Sequence, residues 1–194
     1  SIKEGGTIVD TLSTRTGIRK FEIVDSKLMI NGTPFLLVGT NRHQEYPYIG
    51  NALSDNAQYR DAVKIKEAGF NIVRLSHYPQ ANAFMDACDE LGLLTIAAIP
   101  GWQFVGNDKF MEHSYRDARE LIRRDRNHAS VVMWELSLNE SGMPDHFMKR
   151  MNEIAREESP ESKLITCGWI DRFYDVYIPA RQHAKFPDYW KKYT

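Results

Sequence analysis

The sequence predicts an α/β fold, on three observations. Five apolar runs of strand length recur along the chain, and a stretch of helical spacing separates each from the next. The runs are nearly continuous in apolar residues, as parallel strands buried on both faces read. Each run ends in polar side chains, which in a parallel sheet gathers all five ends on one rim.

The first 34 residues read as extended. "GIRKFEIVDS" and "KLMINGTPFLLVG" are strand-like, and Asn31-Gly32 is a two-residue hairpin signal because both residue types accept positive φ. "FLLVGTN" (35–41) is the first of the five runs. "SDNAQYRDAVKIKEAGF" follows as a helix in which Ala62, Val63, Ile65 and Ala68 share a face, with Ser54 or Asp55 as N-cap and Gly69 as C-cap. "NIVRLSH" is the second strand, and "PQANAFMDACDELG" the second helix, with Pro79 early and Gly92 as its stop. "LLTIAAIPGW" is the third strand, followed by a charged amphipathic helix over 108–126. "ASVVMWELSLNE" is the fourth strand, "MPDHFMKRMNEIAREES" a helix, and "KLITCGWI" the fifth strand.

Two arrangements fit a βα repeat. A doubly wound sheet calls for a glycine-rich phosphate loop after its first strand, and none is present. A (β/α)8 TIM barrel calls for polar residues at the C-terminal ends of several strands, which the chain supplies in "NRHQE", "RLSHYP", "IPGWQ", "LNES" and "GWIDR". A full barrel takes about 250 residues. The expectation is therefore a barrel truncated to five or six βα units over 35–194, the tail holding the start of a sixth strand. Residues 1–34 are expected to be the end of a preceding β-domain and a linking hairpin.

Composition narrows the function classes. Of 194 residues, 42% are hydrophobic and 26% charged, ordinary for a soluble domain with a substantial core. The net charge of −1 gives no reason to expect nucleic acid or an anionic membrane as partner. No apolar run approaches the ~20 residues of a membrane-spanning helix. "SIKEGGTIVD" lacks the basic-then-apolar layout of a signal peptide, and no initiator Met is present; any such leader would lie further N-terminal. Cys88 and Cys167 read as small buried hydrophobes rather than a disulfide or metal pair. The compartment, bacterial periplasm or cytoplasm, stays open, as does a homo-oligomer of the full-length protein.

The rim residues suggest chemistry on a polyhydroxylated substrate. Glu140 is placed to transfer a proton, on the expectation that flanking apolar residues desolvate its carboxyl. Asn139 is placed to bind a substrate hydroxyl. Glu135, deeper in the same strand, reads as a barrel-interior or packing carboxylate. His43, Arg74 and His77 are donors suited to hydroxyl groups. Trp102, Trp134 and Trp169 lie at or near strand ends. Trp102 and Trp169 are the candidates for a flat sugar platform, and Trp134 reads as core. A zinc site from two histidines and Glu140 has no supporting motif, so neither a metal nor any other cofactor is expected.

"GTNRHQEYP", "AGFNIVRLSHYP", "DACDELGL" and "RDRNHASVVMWELSLNES", in this order, resemble glycoside hydrolase family 2 over roughly residues 17–170. That family includes β-galactosidases, β-glucuronidases and β-mannosidases. The resemblance implies an upstream β-sandwich, a catalytic barrel from about Phe35, Glu140 as general acid/base and Asn139 on the sugar 2-hydroxyl. It further implies that His43 and His77 line the pocket, that Arg74 supports it, and that a second Glu at the end of strand seven, outside these residues, is the nucleophile. An oligosaccharide would be the substrate of a retaining exo-β-glycosidase, most similar to a β-galactosidase. The approach to the acid/base departs from the usual W-S-L-G-N-E, reading "WELSLNE", and the third strand ends in "AAIPGW" without the carboxylates that hold a metal in some members. Forms near W-E-P-S-L-N-E-S are similar to β-galactosidase-like enzymes of polysaccharide-degrading bacteria. A carbohydrate-binding pseudoenzyme or structural barrel is the alternative; the residue at the end of strand seven separates the two.

Overall fold

The computed structural model describes residues 1–159, 164–168, 170 and 172–178. Strands β1 (Ile2–Glu4) and β2 (Thr7–Asp10) pair as an exposed antiparallel ribbon. Strands β3 (Phe21–Val24), β4 (Lys27–Ile30) and β5 (Thr33–Pro34) form a second antiparallel sheet. The Asn31-Gly32 turn joins β4 to β5 with φ of 51° and 78°, as its residue types predict. Asp25 and Ser26 make the other turn, also at positive φ, without a glycine to mark it.

Five parallel strands follow: β6 (Gly39–Arg42), β7 (Ile72–Leu75), β8 (Leu94–Ala98), β9 (Val131–Glu135) and β10 (Leu164–Ile165). Helices α1 (Asp55–Glu67), α2 (Asn82–Leu91), α3 (Asp108–Asp125) and α4 (Asp145–Glu158) connect them. The strand order is β10-β9-β8-β7-β6. Chain order and spatial order coincide, so there is no switch point. That is the winding of a (β/α)8 barrel and not of a doubly wound sheet.

Local signals explain most element ends. Ser54 caps α1 by accepting from the Ala57 amide, and Asn107 caps α3 by accepting from that of Phe110. Gly92 closes α2 in the left-handed conformation at φ 66°. The first strand is the exception, since it begins at Gly39 rather than Phe35. The Asn71 side chain occupies the place of a ladder there, donating to the Leu36 carbonyl and accepting from the Val38 amide, both at 2.8 Å. A Cβ on Gly39 would meet the Ile72 carbonyl at 2.3 Å, so only glycine permits the close pairing with β7.

Strands β7 to β10 send side chains to two cores. On the helix side, Leu75, Phe84, Trp134, Phe147 and Ile154 are fully buried. Trp134 is thus core, as expected, and each such side chain contributes roughly 1.5–3 kcal/mol by burial. On the inner side, Ile72, Leu94, Ile96, Val132 and Met133 pack with Phe21, and with Leu28 and Ile30 of the hairpin sheet. The hairpin therefore closes the lower, N-terminal end of the strands. Arg19 adds to this end by donating to the carbonyls of Ala129 and Val131. Cys88 and Cys167 are free and buried, and burial pushes the Cys167 thiol up to about 12.

At the far edge the amides of Asp175 and Val176 bond the Ile165 carbonyl, and that of Ile178 bonds Gly168. Residues 172–178 contain no strand, and the remaining tail, where a sixth strand was expected, lies outside the described residues.

Candidate active site

The C-terminal ends of β6 to β10 share one rim. Within β6, period-two alternation separates Arg42 from Asn41 and His43. Arg42 turns toward the helices, is buried, and donates to Gln80 at 2.5 Å, Gln58 at 2.7 Å and Asp61 at 2.8 Å. Its guanidinium also lies 3.9 Å from the Phe84 ring centroid. This anchor locks the strand end onto α1 and α2. The sequence counts it within the rim segment "NRHQE", although alternation alone marks it as facing away from the rim. His43, the next residue, is exposed above the rim.

His43, His77 and Trp102 form a row of rings. His43 and His77 lie 6.0 Å apart, and the Trp102 ring meets His77 edge-on at 5.3 Å. His77 is buried, and burial first, then Arg74 and His43, push it down to about 4, so it is a neutral imidazole at neutral pH. Trp102 is half-exposed, presenting apolar surface beside it. Trp169 lies outside the described residues.

After β9 the chain leaves strand geometry while Leu136, Ser137 and Leu138 stay buried. Asn139 and Glu140 then turn out onto the rim. Glu140 holds a left-handed φ of 60°, sparsely populated for a side chain with Cβ. Ser141 supports the turn. Its hydroxyl donates to the Asn139 carbonyl at 3.1 Å and accepts from the Gln103 amide at 2.9 Å. Gln103 is itself left-handed, at φ 64°, so one hydrogen bond couples two unusual backbone positions on neighbouring loops. Ser141 and Gln103 stand in the polar strand ends "LNES" and "IPGWQ", but the sequence assigns neither of them a role.

Glu140 is exposed, so the apolar flank expected to desolvate it does not cover it among the described residues. It lines a cavity of about 600 Å3 with Gly142, Met143, Pro144, Ile170, Arg172 and Tyr177. Below it, Glu135 is fully buried and accepts from Arg74 Nε at 2.7 Å and Nη2 at 2.5 Å. Arg74 Nη2 also donates to Asn139 Oδ1 at 2.6 Å. Burial pushes the Glu135 carboxyl up, with Arg74 opposing. Arg74, expected to donate to a substrate hydroxyl, thus reaches the rim through Asn139. The end of β8 offers Ile99, Pro100, Gly101 and Trp102, with no side-chain carboxylate, and among the described residues no three His, Cys, Asp or Glu side chains gather as a metal would need.

A family model described as the TIM barrel domain of glycosyl hydrolases family 2 matches residues 21–189. The chain belongs to glycoside hydrolase family 2. It is 48% identical over 153 residues to a β-galactosidase of Thermoanaerobacter pseudethanolicus, covering 77% of this chain and 20% of that protein. It is 34% identical over 172 residues to a β-glucuronidase of Bacteroides fragilis, covering 82% and 25%. Among solved structures, the Parabacteroides merdae β-glucuronidase with glycerol in its active site superposes with a TM-score of 0.82 at 26% identity, over 91% of this chain and 25% of that one. The Ruminococcus gnavus β-glucuronidase in complex with D-glucuronic acid gives 0.77 at 28% identity, over 86% and 30%. This family 2 chain spans only a fifth to a quarter of the curated relatives it matches.

Proposed function

We propose that these residues belong to a retaining exo-β-glycosidase of β-galactosidase type, which removes terminal β-linked sugars from oligosaccharides. The observation that carries this is the Asn139-Glu140 turn. It puts an amide held by Arg74 and a carboxyl at φ 60° side by side on the rim, with the carboxyl opening on the cavity. Glu140 protonates the glycosidic oxygen as the bond to the anomeric carbon breaks, then takes a proton from the water that releases the glycosyl-enzyme. Asn139 binds the 2-hydroxyl. His43, neutral His77 and Trp102 border the sugar. The similarity to a β-galactosidase at 48% identity supports galactose over glucuronic acid.

The nucleophile is a second rim Glu, supplied by the seventh strand of the longer protein. Glu135 does not serve, because it is fully buried and clamped by Arg74. Residues 1–194 alone are accordingly inactive. Residues 1–34 end a preceding β-sandwich and link it by a hairpin to the barrel that begins at residue 35.

The test is hydrolysis of aryl β-galactoside and β-glucuronide by the full-length protein, beside Glu140→Ala with and without azide. A slow variant that azide revives, yielding a β-glycosyl azide, establishes Glu140 as the acid/base of a retaining enzyme, and the glycoside cleaved names the sugar. A wild-type protein that binds oligosaccharide but cleaves neither substrate overturns the reading.

A further inference from the structure

The departure "WELSLNE" puts Glu135 where the chain has no evident need of a carboxylate. It is the last residue of β9, fully buried, and both of its oxygens accept from Arg74. A buried ion pair adds little stability over apolar side chains of similar volume, so stability alone is a weak reason for it. Its geometry suggests another.

Nη2 of Arg74 carries two hydrogens. One goes to Glu135 Oε1 at 2.5 Å and the other to Asn139 Oδ1 at 2.6 Å. Arginine has only donors, so the Asn139 atom facing it must be the carbonyl oxygen. The Asn139 NH2 group is thereby turned away from Arg74. A primary amide not so held can present either end. The Nε and Nη2 bonds to Glu135 fix the guanidinium plane at two points, which a single contact does not. Gly168 closes the remaining side. A Cβ there would lie 3.1 Å from Asn139 Cβ and 3.3 Å from Glu135 Oε1, so the segment after β10 lies close against both side chains.

We infer that Glu135 is a positioning residue, which acts through Arg74 to aim the Asn139 NH2 group at the sugar 2-hydroxyl. The inference rests on the reading of Asn139 and Glu140 proposed above. Glu135 touches no substrate; it selects which end of an amide does.

The test uses the full-length protein and two probes, an aryl β-glycoside of the sugar it cleaves and the 2-deoxy analogue. Glu135→Gln should lower kcat/KM roughly 10- to 100-fold on the 2-hydroxy substrate, and by less than about threefold on the 2-deoxy substrate, which lacks the group Asn139 binds. In an Asn139→Ala background the same substitution should cost nothing further on either. Arg74→Lys, which removes the bidentate fork, should reproduce the selective loss, and it carries the test if Glu135→Gln does not fold by circular dichroism. Equal losses on both probes, or losses that add to those of Asn139→Ala, overturn the positioning role and leave the hydrolase reading standing. A wild-type protein inert on every glycoside overturns both.

Discussion

At the lower end of β9, Asp89 of α2 accepts from the Ser130 amide at 2.8 Å and pairs with His128 Nδ1 at 2.7 Å. At the upper end, Glu135 holds Arg74, and Arg74 holds Asn139. Both are largely buried ion pairs joining two βα units, yet they serve opposite purposes. The lower pair satisfies the backbone at the entry to a strand. It ties "DACDELGL" to "RDRNHAS", two motifs distant in sequence. The upper pair leads into a turn that is locally unfavourable, with Glu140 left-handed and exposed. In barrels of this kind the lower face holds the fold and the upper face does chemistry. The two pairs sit at the two ends of one five-residue strand.

The largest expected effect falls on the upper pair. Glu135→Ala leaves Arg74 partly buried without its counter-ion and should cost about 3–5 kcal/mol, read from urea melts of the full-length protein. Glu135→Leu with Arg74→Met should cost much less. If the single and double variants are equally destabilised, the charge is not what matters. Trp134→Ala, between the two pairs on the helix side, should cost a similar 3–5 kcal/mol through the cavity it opens.

The lower pair should respond to pH from both sides. Burial pushes the Asp89 carboxyl up, but bonds from His128 and Ser130 outweigh it, and the net direction is down. The bond to Asp89 raises His128, with burial opposing. A depressed carboxyl stabilises above its ordinary value of about 4 and loses this as pH falls through the folded value. A raised imidazole stabilises fully below about 6.5 and loses this as pH rises through the folded value. The pair therefore contributes most between those limits, and His128→Ala should cost about 1 kcal/mol there and less at higher pH. Stability differences that stay constant from pH 5 to 9 would count against the pair.

The two histidines sharpen the contrast. Nuclear magnetic resonance should show His128 titrating above the ordinary histidine value, and His77, held down to about 4, silent above pH 5. The smallest effect on stability should come from Glu140. Glu140→Gly relieves a left-handed residue and should change stability by less than about 1 kcal/mol, in the stabilising direction, while abolishing turnover. A large destabilisation would make Glu140 part of the scaffold rather than of the chemistry.

The sequence by itself determined the winding of the fold. The alternation of apolar runs with helical spacing, the caps Ser54 and Asn107, the stop Gly92 and the Asn31-Gly32 turn are local signals, set by periodicity and backbone freedom. The rim was also legible, because strand ends in a parallel sheet point one way and polar residues there stand out. What only the tertiary structure decided was how side chains share partners. Asn71 stands in for a strand ladder, which shortened β6. Arg42 was hidden by neighbours that face the rim. Arg74 is held by Glu135, sixty-one residues away, a partner that spacing along the chain does not reveal. Glu140 is exposed because covering a rim residue takes elements beyond its own strand. Hydrogen bonds and burial of this kind depend on distance in space, and a single sequence records only distance along the chain.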